Sequence, residues 1–418
     1  MHLDNQLEAP GVVLAASEKR EFSRYIGWTS AILVGGALLA TLAVLIVDPY
    51  HLFRFIDKAG FNRLKPSPDM YREQIKLAQA KSLHPNLLLL GNSRVEVGFD
   101  PMSPKLRKAS YSAYNLALAG TSLVVANNMF EDMRTAAQPP ASAIVGLEFL
   151  DFLVDPATPQ SLPGQAKSVF FPLEWRFETV FSIKAVTDTW RTLRLQKTEN
   201  PETMTTRGHT PLFEYNKFAR QEGYYSIFRQ RGQENAKSLL RRPHSLYGAQ
   251  GQPSTSVDKL RHMVTTMARD GTEVHLLIYP YHAELMAMFG ETGLQTIMDE
   301  WRRMLVGEVD AVRKQFPNAR IILWDFSGYG PVQCEAIPAR GDTRSVTRFY
   351  WEAGHFKTSL GDLILERILE KDNGFGIALT ASNLEQNKQR IAAERSECQT
   401  LNPQIFAQAR SMIEAARK

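Results

Sequence analysis

The longest apolar run of the chain lies near the N-terminus, where residues 25–47 contain no charged side chain. A helix of this length rises about 34 Å, which is enough to cross the roughly 30 Å hydrocarbon core of a bilayer. Tyr25 and Trp28 lie where interfacial aromatic residues are common, and Asp48-Pro49 ends the run. The run exceeds the apolar core of a usual signal peptide, and no small-residue cleavage site follows it. The pattern predicts one transmembrane helix over 25–47.

Beyond this helix, short apolar runs alternate with longer stretches that have the spacing of amphipathic helices. Runs of this kind are typical of buried parallel strands. Their alternation with helices predicts an α/β fold with a central parallel sheet covered on both faces. The four clearest runs are Leu87–Leu90, Ala143–Leu147, Glu273–Tyr279 and Arg320–Trp324.

The pattern also divides the chain into five segments. Within the α/β domain, residues 190–255 differ from the rest, because they are basic with interleaved aromatic side chains. They suggest an inserted lid, a partly disordered loop, or an insertion that binds a glycan or a partner. Nucleic-acid binding is not expected, since solvated charge on a helix explains such a stretch more simply. The segments are a polar tail (1–24), the apolar helix (25–47), a connector (48–84), the α/β domain (85–372) and a polar helical tail (373–418).

Composition narrows the class of protein further. Hydrophobic residues make up 44% and charged residues 22% of the 418 residues, which argues for a folded globular domain over wholesale disorder. Cys334 and Cys398 are the two cysteines, so they allow one disulfide at most and exclude a multi-cysteine metal site. The net charge of +5 is spread along the chain and is weak support for nucleic-acid binding. The chain lacks phosphate-loop, dinucleotide and His-Glu-x-x-His motifs, so we expect no cofactor and no metal.

The first candidate for chemistry is Gly91-Asn92-Ser93-Arg94, which directly follows the predicted strand Leu87–Leu90. In open α/β sheets, ligands bind outside the carboxyl ends of the strands, so Ser93 lies where a nucleophile would. Its backbone N–H, at the start of a helix, could also stabilise an oxyanion. The simpler alternative is that Ser93 is a helix N-cap, a position that serine favours.

The second candidate is Glu352-Ala353-Gly354-His355, which follows the last predicted strand. A carboxylate three residues from a histidine can fix the imidazole in one tautomer, and the other ring nitrogen can then take a proton from a serine. Alone, this pair is compatible with an ordinary solvated loop. His282 after the strand Glu273–Tyr279 could be a second base or a structural histidine, and Asp325 a rim or turn residue.

The order of these two motifs resembles the SGNH/GDSL family of serine esterases and acyltransferases, over residues 85–372. The resemblance implies a three-layer α/β/α domain in which Ser93 is the nucleophile, His355 the base and Glu352 its orienting acid. Asn92 and Glu352 stand where the family usually has aspartates.

The resemblance also implies an oxyanion hole built from three blocks. Ser93 would supply the first N–H and Gly120 the second, although Gly120 could equally be a turn glycine. The third block normally provides an asparagine, but residues 145–152 contain none. Asn115 is a nearby candidate for binding, and Arg94 could hold a carboxylate or phosphate or pair with an acidic residue.

The apolar helix and its connector make the chain similar to the anchored SGNH-type proteins that act with membrane-bound O-acyltransferases on bacterial surface polysaccharides. This similarity implies a single-pass protein of the cytoplasmic membrane whose domain faces the periplasm or exterior and acts on acylated envelope glycans. The basic residues that flank the helix do not decide the orientation. The alternative function is a catalytically weak or inactive SGNH-type protein that binds glycan or scaffolds a polysaccharide-synthesis complex.

Overall fold

The computed structural model describes residues 16–135, 138–157, 171–370 and 373–418. It has a mixed α/β fold with a mostly parallel central sheet and an N-terminal apolar helix. The helices are α1 (Ala16–Val47), α2 (Arg72–Leu83), α3 (Ser93–Gly98), α4 (Pro104–Lys108), α5 (Leu123–Arg134), α6 (Phe171–Phe181), α7 (Ile183–Leu195), α8 (Glu214–Leu240), α9 (Thr255–Arg269), α10 (Ala283–Glu291), α11 (Leu294–Gln315), α12 (Thr358–Leu369), α13 (Leu384–Leu401) and α14 (Pro403–Arg417). The strands are β1 (Leu87–Leu90), β2 (Ala113–Asn115), β3 (Ser142–Leu147), β4 (Glu273–Ile278), β5 (Ile321–Asp325), β6 (Tyr350–Glu352), β7 (His355–Phe356) and β8 (Ile377–Ala378).

The central sheet has the strand order β2-β1-β3-β4-β5-β8. The first five strands run parallel, and β8 is an antiparallel edge strand beside β5. Every residue of β1 and β3 is buried, so both faces of the sheet are covered, which explains why these strands are continuous apolar runs. The four strands predicted from apolar runs correspond to β1, β3, β4 and β5. The carboxyl ends of β1 and β3 are neighbours, and β1 leads directly into the turn that holds Ser93.

Helix α1 is long and apolar enough to cross a membrane, with a mean hydropathy of 2.5 in its best 18-residue window. Only 11% of that window is buried, so α1 is not a core helix of the domain. A single membrane span and a signal sequence both have these properties. The C-terminal turn of α1 is buried, unlike the rest of the helix, because Val44 and Val47 pack inside the protein.

The connector holds the end of α1 through buried polar contacts. Lys65 Nζ donates to the carbonyl oxygens of Val47 at 2.9 Å and Asp48 at 2.7 Å, and thereby satisfies the helix C-terminus. Asn62 adds a donor to Val47 O at 3.1 Å. The Asp48 carboxylate accepts three backbone N–H groups from residues 52–54. Burial lowers the pKa of Lys65 to about 8.

Residues 190–255 and the C-terminal tail both pack against the domain. Residues 190–255 contain the end of α7, the long helix α8 and the start of α9. Helix α8 breaks at Gly223, where φ is +79°. Helix α14 packs on α8 and α10 and buries Ile405 and Ile413. Cys334 and Cys398 form a disulfide, with 5.8 Å between their Cα atoms, that ties α13 to the loop after β5. The tail is therefore an integral part of the fold.

Candidate active site

Ser93 lies at the tight turn between β1 and α3. Gly91 has φ of +147°, and a Cβ there would come within 2.7 Å of the Val95 side chain, so this turn requires glycine. Asn92 is the N-cap of α3, because its side-chain oxygen accepts the Arg94 N–H at 3.1 Å. The alternative that Ser93 serves as the N-cap is therefore wrong. The Ser93 hydroxyl is left to interact with another part of the chain.

That other part is the β6–β7 hairpin. His355 Nε2 lies 2.8 Å from Ser93 Oγ, although the two residues are 262 positions apart. On the other side of the imidazole, Nδ1 contacts Glu352 Oε1. The hairpin turn at Ala353-Gly354 brings Glu352 and His355 opposite each other as strand partners. The three residues singled out from the sequence thus form one continuous hydrogen-bonded chain.

Glu352 is buried, with 1% of its surface exposed. Burial alone raises the pKa of this carboxyl, but His355, the Gly354 N–H and the more distant Arg231 outweigh burial and hold the pKa below its usual value. The Gly354 N–H donates to Glu352 Oε2 at 2.7 Å. A charged Glu352 favours the tautomer in which Nδ1 carries the proton, which leaves Nε2 free to accept the serine proton.

Beside Ser93, Arg94 pairs with Glu148 just after β3. Asn92 Nδ2 donates to the same Glu148 oxygen at 3.2 Å, and the Tyr281 hydroxyl donates to the other at 2.9 Å. The Arg94 guanidinium also lies over the Tyr281 ring, 5.1 Å from its centroid. Glu148 therefore occupies the region where the resemblance implied an oxyanion donor. Sequence reasoning missed its role, although its place after a buried strand was a usable signal.

Asn115, considered as a binding residue, has a different place in the structure. It is fully buried, and its amide nitrogen donates to the carbonyl oxygens of Val95 at 2.9 Å and Phe99 at 3.0 Å. Its side-chain oxygen accepts the Ala117 N–H at 3.1 Å. Asn115 therefore fixes α3 against the end of β2 and does not offer its amide to a ligand near Ser93.

Gly120 lies in an exposed loop that runs beside the Ser93 turn. The Leu118 N–H donates to Gly91 O at 3.2 Å, and the Ala119 N–H donates to Glu96 Oε2 at 2.8 Å. Glu96 in turn pairs with the fully buried Lys76 at 2.7 Å. Gly120 has φ of +73° and open space around it, so backbone conformation accounts for the glycine. The buried pair of Lys76 and Glu96 fixes the segment that leads to Gly120, because Glu96 accepts the Ala119 N–H.

His282 and Asp325 are both structural. The ring nitrogens of the buried His282 contact Glu335 O at 2.8 Å and the Glu284 N–H at 3.1 Å. Burial lowers its pKa to about 4, and a neutral imidazole satisfies both contacts. Asp325 is fully buried and accepts Arg302 at 2.7 Å, so it is not a rim residue.

Within the described ranges, no group of three or more His, Cys, Asp or Glu side chains has an arrangement that could hold a metal ion. No protein-family model matches the chain, and no curated protein matches it either.

Proposed function

We propose that the chain is a membrane-anchored, SGNH-like serine esterase or O-acyltransferase. The observation that carries the proposal is the contact chain from Ser93 Oγ through the His355 imidazole to Glu352. This arrangement fits a nucleophile, a general base and an orienting carboxylate, on a sheet consistent with the three-layer SGNH architecture. The substrates would be acyl esters, with an envelope glycan as acceptor or as the acylated polymer.

In the first half-reaction, His355 Nε2 takes the Ser93 proton as Oγ attacks the ester carbonyl carbon. The tetrahedral oxyanion collapses to acyl-Ser93, and the imidazolium returns its proton to the departing alkoxide. In the second half-reaction, His355 deprotonates water or a sugar hydroxyl, which attacks acyl-Ser93 and regenerates the serine. Glu352 stays ionised throughout and stabilises the imidazolium.

The oxyanion would be stabilised by the N–H groups of Ser93 and Gly120. The Ser93 N–H belongs to the first turn of α3, where helix geometry provides no intrahelical acceptor. Glu148 brings negative charge to the place of a third donor, and its pairing with Arg94, Asn92 and Tyr281 offsets that charge. Lack of a third donor typically costs about 10²–10³ in rate, so slow turnover is expected.

The disulfide supports an extracytoplasmic site of action. Disulfides persist in oxidising compartments and are rare in the cytosol. With α1 as a single span of the cytoplasmic membrane, the bond between Cys334 and Cys398 favours a domain that faces the periplasm or exterior. A membrane-bound O-acyltransferase is the partner that would supply acyl groups there.

The decisive experiment treats the full-length protein in lipid nanodiscs with a fluorophosphonate probe and reads the intact mass. We expect one adduct on wild type and none on Ser93→Ala or His355→Ala. Ser359→Ala is the matched control, because this exposed serine on α12 lies close to His355 in sequence and should leave labelling unchanged. An adduct that persists in Ser93→Ala would contradict the proposal.

Glu148 gives a specific reason to keep the second function, a non-catalytic protein that binds glycan or scaffolds a complex. A buried carboxylate beside the nucleophile is an unusual neighbour for a developing oxyanion, even when paired. No adduct on wild type, combined with glycan binding that Ser93→Ala retains, would favour this function over catalysis.

A further inference from the structure

Helices α6 and α7 form a hairpin that exposes an unusual apolar surface. Five large apolar side chains form this surface, which we call the hairpin face. The two on α6 are four residues apart, and the three on α7 follow one another at intervals of three and four residues, so each set lies on one side of its helix. Their exposed fractions are Phe177 62%, Phe181 56%, Ile183 85%, Val186 43% and Trp190 64%. Soluble surfaces rarely gather so many large apolar groups in one place, and such patches usually mark a binding surface.

The opposite face of α7 packs on the end of α1 and on the connector. Ala185, Asp188 and Thr192 on that face are buried, and Asp188 accepts the Tyr50 hydroxyl at 2.8 Å. Ala185 belongs to a small core cluster together with Val44, in the last turn of α1. The hairpin face is therefore the outer side of a helix whose inner side is already occupied.

Contacts along α7 fix its direction relative to α1. The beginning of α7, at Ala185, clusters with the last turn of α1. Its far end lies beside the connector, where Gln196 Nε2 donates to Leu64 O at 2.8 Å. The corner between α6 and α7 therefore lies on the side from which α1 enters the domain. In that direction α1 itself exposes Leu38, Leu39 and Leu42.

We propose that the hairpin face inserts into the interfacial layer of the same bilayer that α1 crosses. The occupant is lipid, at the boundary between head groups and acyl chains, about 5–10 Å deep, as for other interfacial amphipathic helices. Trp190 suits this layer, because its indole has an apolar ring and a polar N–H. The continuity with α1 is the reason to choose lipid over a soluble partner. The inference rests on the proposed membrane span and is independent of catalysis.

The test uses the full chain in protein-free lipid nanodiscs with single cysteines that carry an environment-sensitive fluorophore. Both native cysteines are in the disulfide, so only the introduced thiol should react. Ile183→Cys and Trp190→Cys report on the hairpin face, Leu38→Cys reports on the span, and Val346→Cys, at an exposed valine elsewhere, is the control. Lipids with a nitroxide near the head group should quench positions 183 and 190 several-fold more than position 346, and lipids with a nitroxide deep in the acyl chain should quench position 38.

Each outcome assigns the failure to one idea. Quenching at 38 but no more at 183 and 190 than at 346 would overturn the interfacial hairpin and leave the span intact. No quenching at 38 would remove the span on which the inference rests. Shielding of 183 that appears only with a co-reconstituted membrane protein would make this a protein interface and overturn the lipid assignment. The same quenching measurements in a Ser93→Ala background should give the same values, because the hairpin face does not depend on the proposed activity.

Discussion

Two glutamates near the candidate site are equally buried and differ in charge. Glu352 and Glu284 are each about 1% exposed. His355, the Gly354 N–H and Arg231 hold the pKa of Glu352 low against the effect of burial. Burial, with the charge of Glu352 added, raises the pKa of Glu284 to about 8, and Glu284 Oε2 has no hydrogen-bond partner in the described part of the chain.

The difference shows that hydrogen-bond partners, and not depth, decide which carboxyl is ionised. For Glu284, the charge of Arg229 opposes the effect of burial but does not outweigh it, so the carboxyl keeps its proton. A neutral Glu284 also avoids a second negative charge near Glu352.

The largest expected effect comes from removing the charge of Glu352. In Glu352→Gln the amide does not favour the tautomer that leaves Nε2 free, so the rate of Ser93 modification should fall roughly 10⁴-fold. Time-resolved labelling by the fluorophosphonate probe measures this rate. Glu284→Gln, which changes an equally buried glutamate, is the matched control and should label within a few-fold of wild type. A loss below tenfold in Glu352→Gln would remove the orienting role.

Glu284 should make stability fall as pH rises. Its folded pKa of about 8 lies above the ordinary value of 4.5, so its contribution is full below about pH 4.5 and is lost as pH rises toward 8. Relative to Glu284→Gln, wild type should lose a few kcal/mol between pH 5 and pH 8. Thermal unfolding of both proteins at several pH values measures the difference. A constant difference across this range would mean that Glu284 is already ionised at pH 5.

The smallest effect tests whether the two glutamates influence each other. In Glu352→Gln the negative charge near Glu284 is gone, so the pKa of Glu284 should move down by about one unit or less. The midpoint of the pH-dependent stability loss should move with it. The double variant Glu352→Gln/Glu284→Gln should show neither the loss nor the shift. An unmoved midpoint in Glu352→Gln would show that Glu284 does not respond to that charge.

Sequence patterns predicted the parts of the fold that depend on local burial. Strands β1, β3, β4 and β5 are apolar runs, and a continuous run is visible without knowledge of its neighbours. Strand β2 has three residues, Ala113–Asn115, and is set by pairing with β1, so no local pattern reveals it. The strand order is likewise a property of the assembled sheet.

The same limit applied to the candidate site. Ser93, Glu352 and His355 were found through motif order, which a linear sequence retains. Glu148 depends on β1 and β3 being neighbours, since it lies 54 positions from Arg94. The neutral state of Glu284 depends on the absence of nearby donors, which only packing determines.

The rigid junction after α1 has a mechanical consequence. Because Lys65, Asn62 and Asp48 make hydrogen bonds around the end of α1, the chain leaves this helix through an ordered junction and not through an extended linker. If α1 crosses a bilayer as proposed, this junction would hold Ser93 at one height above the lipid surface. Under the proposed activity, only glycan segments that pass at that height would reach Ser93.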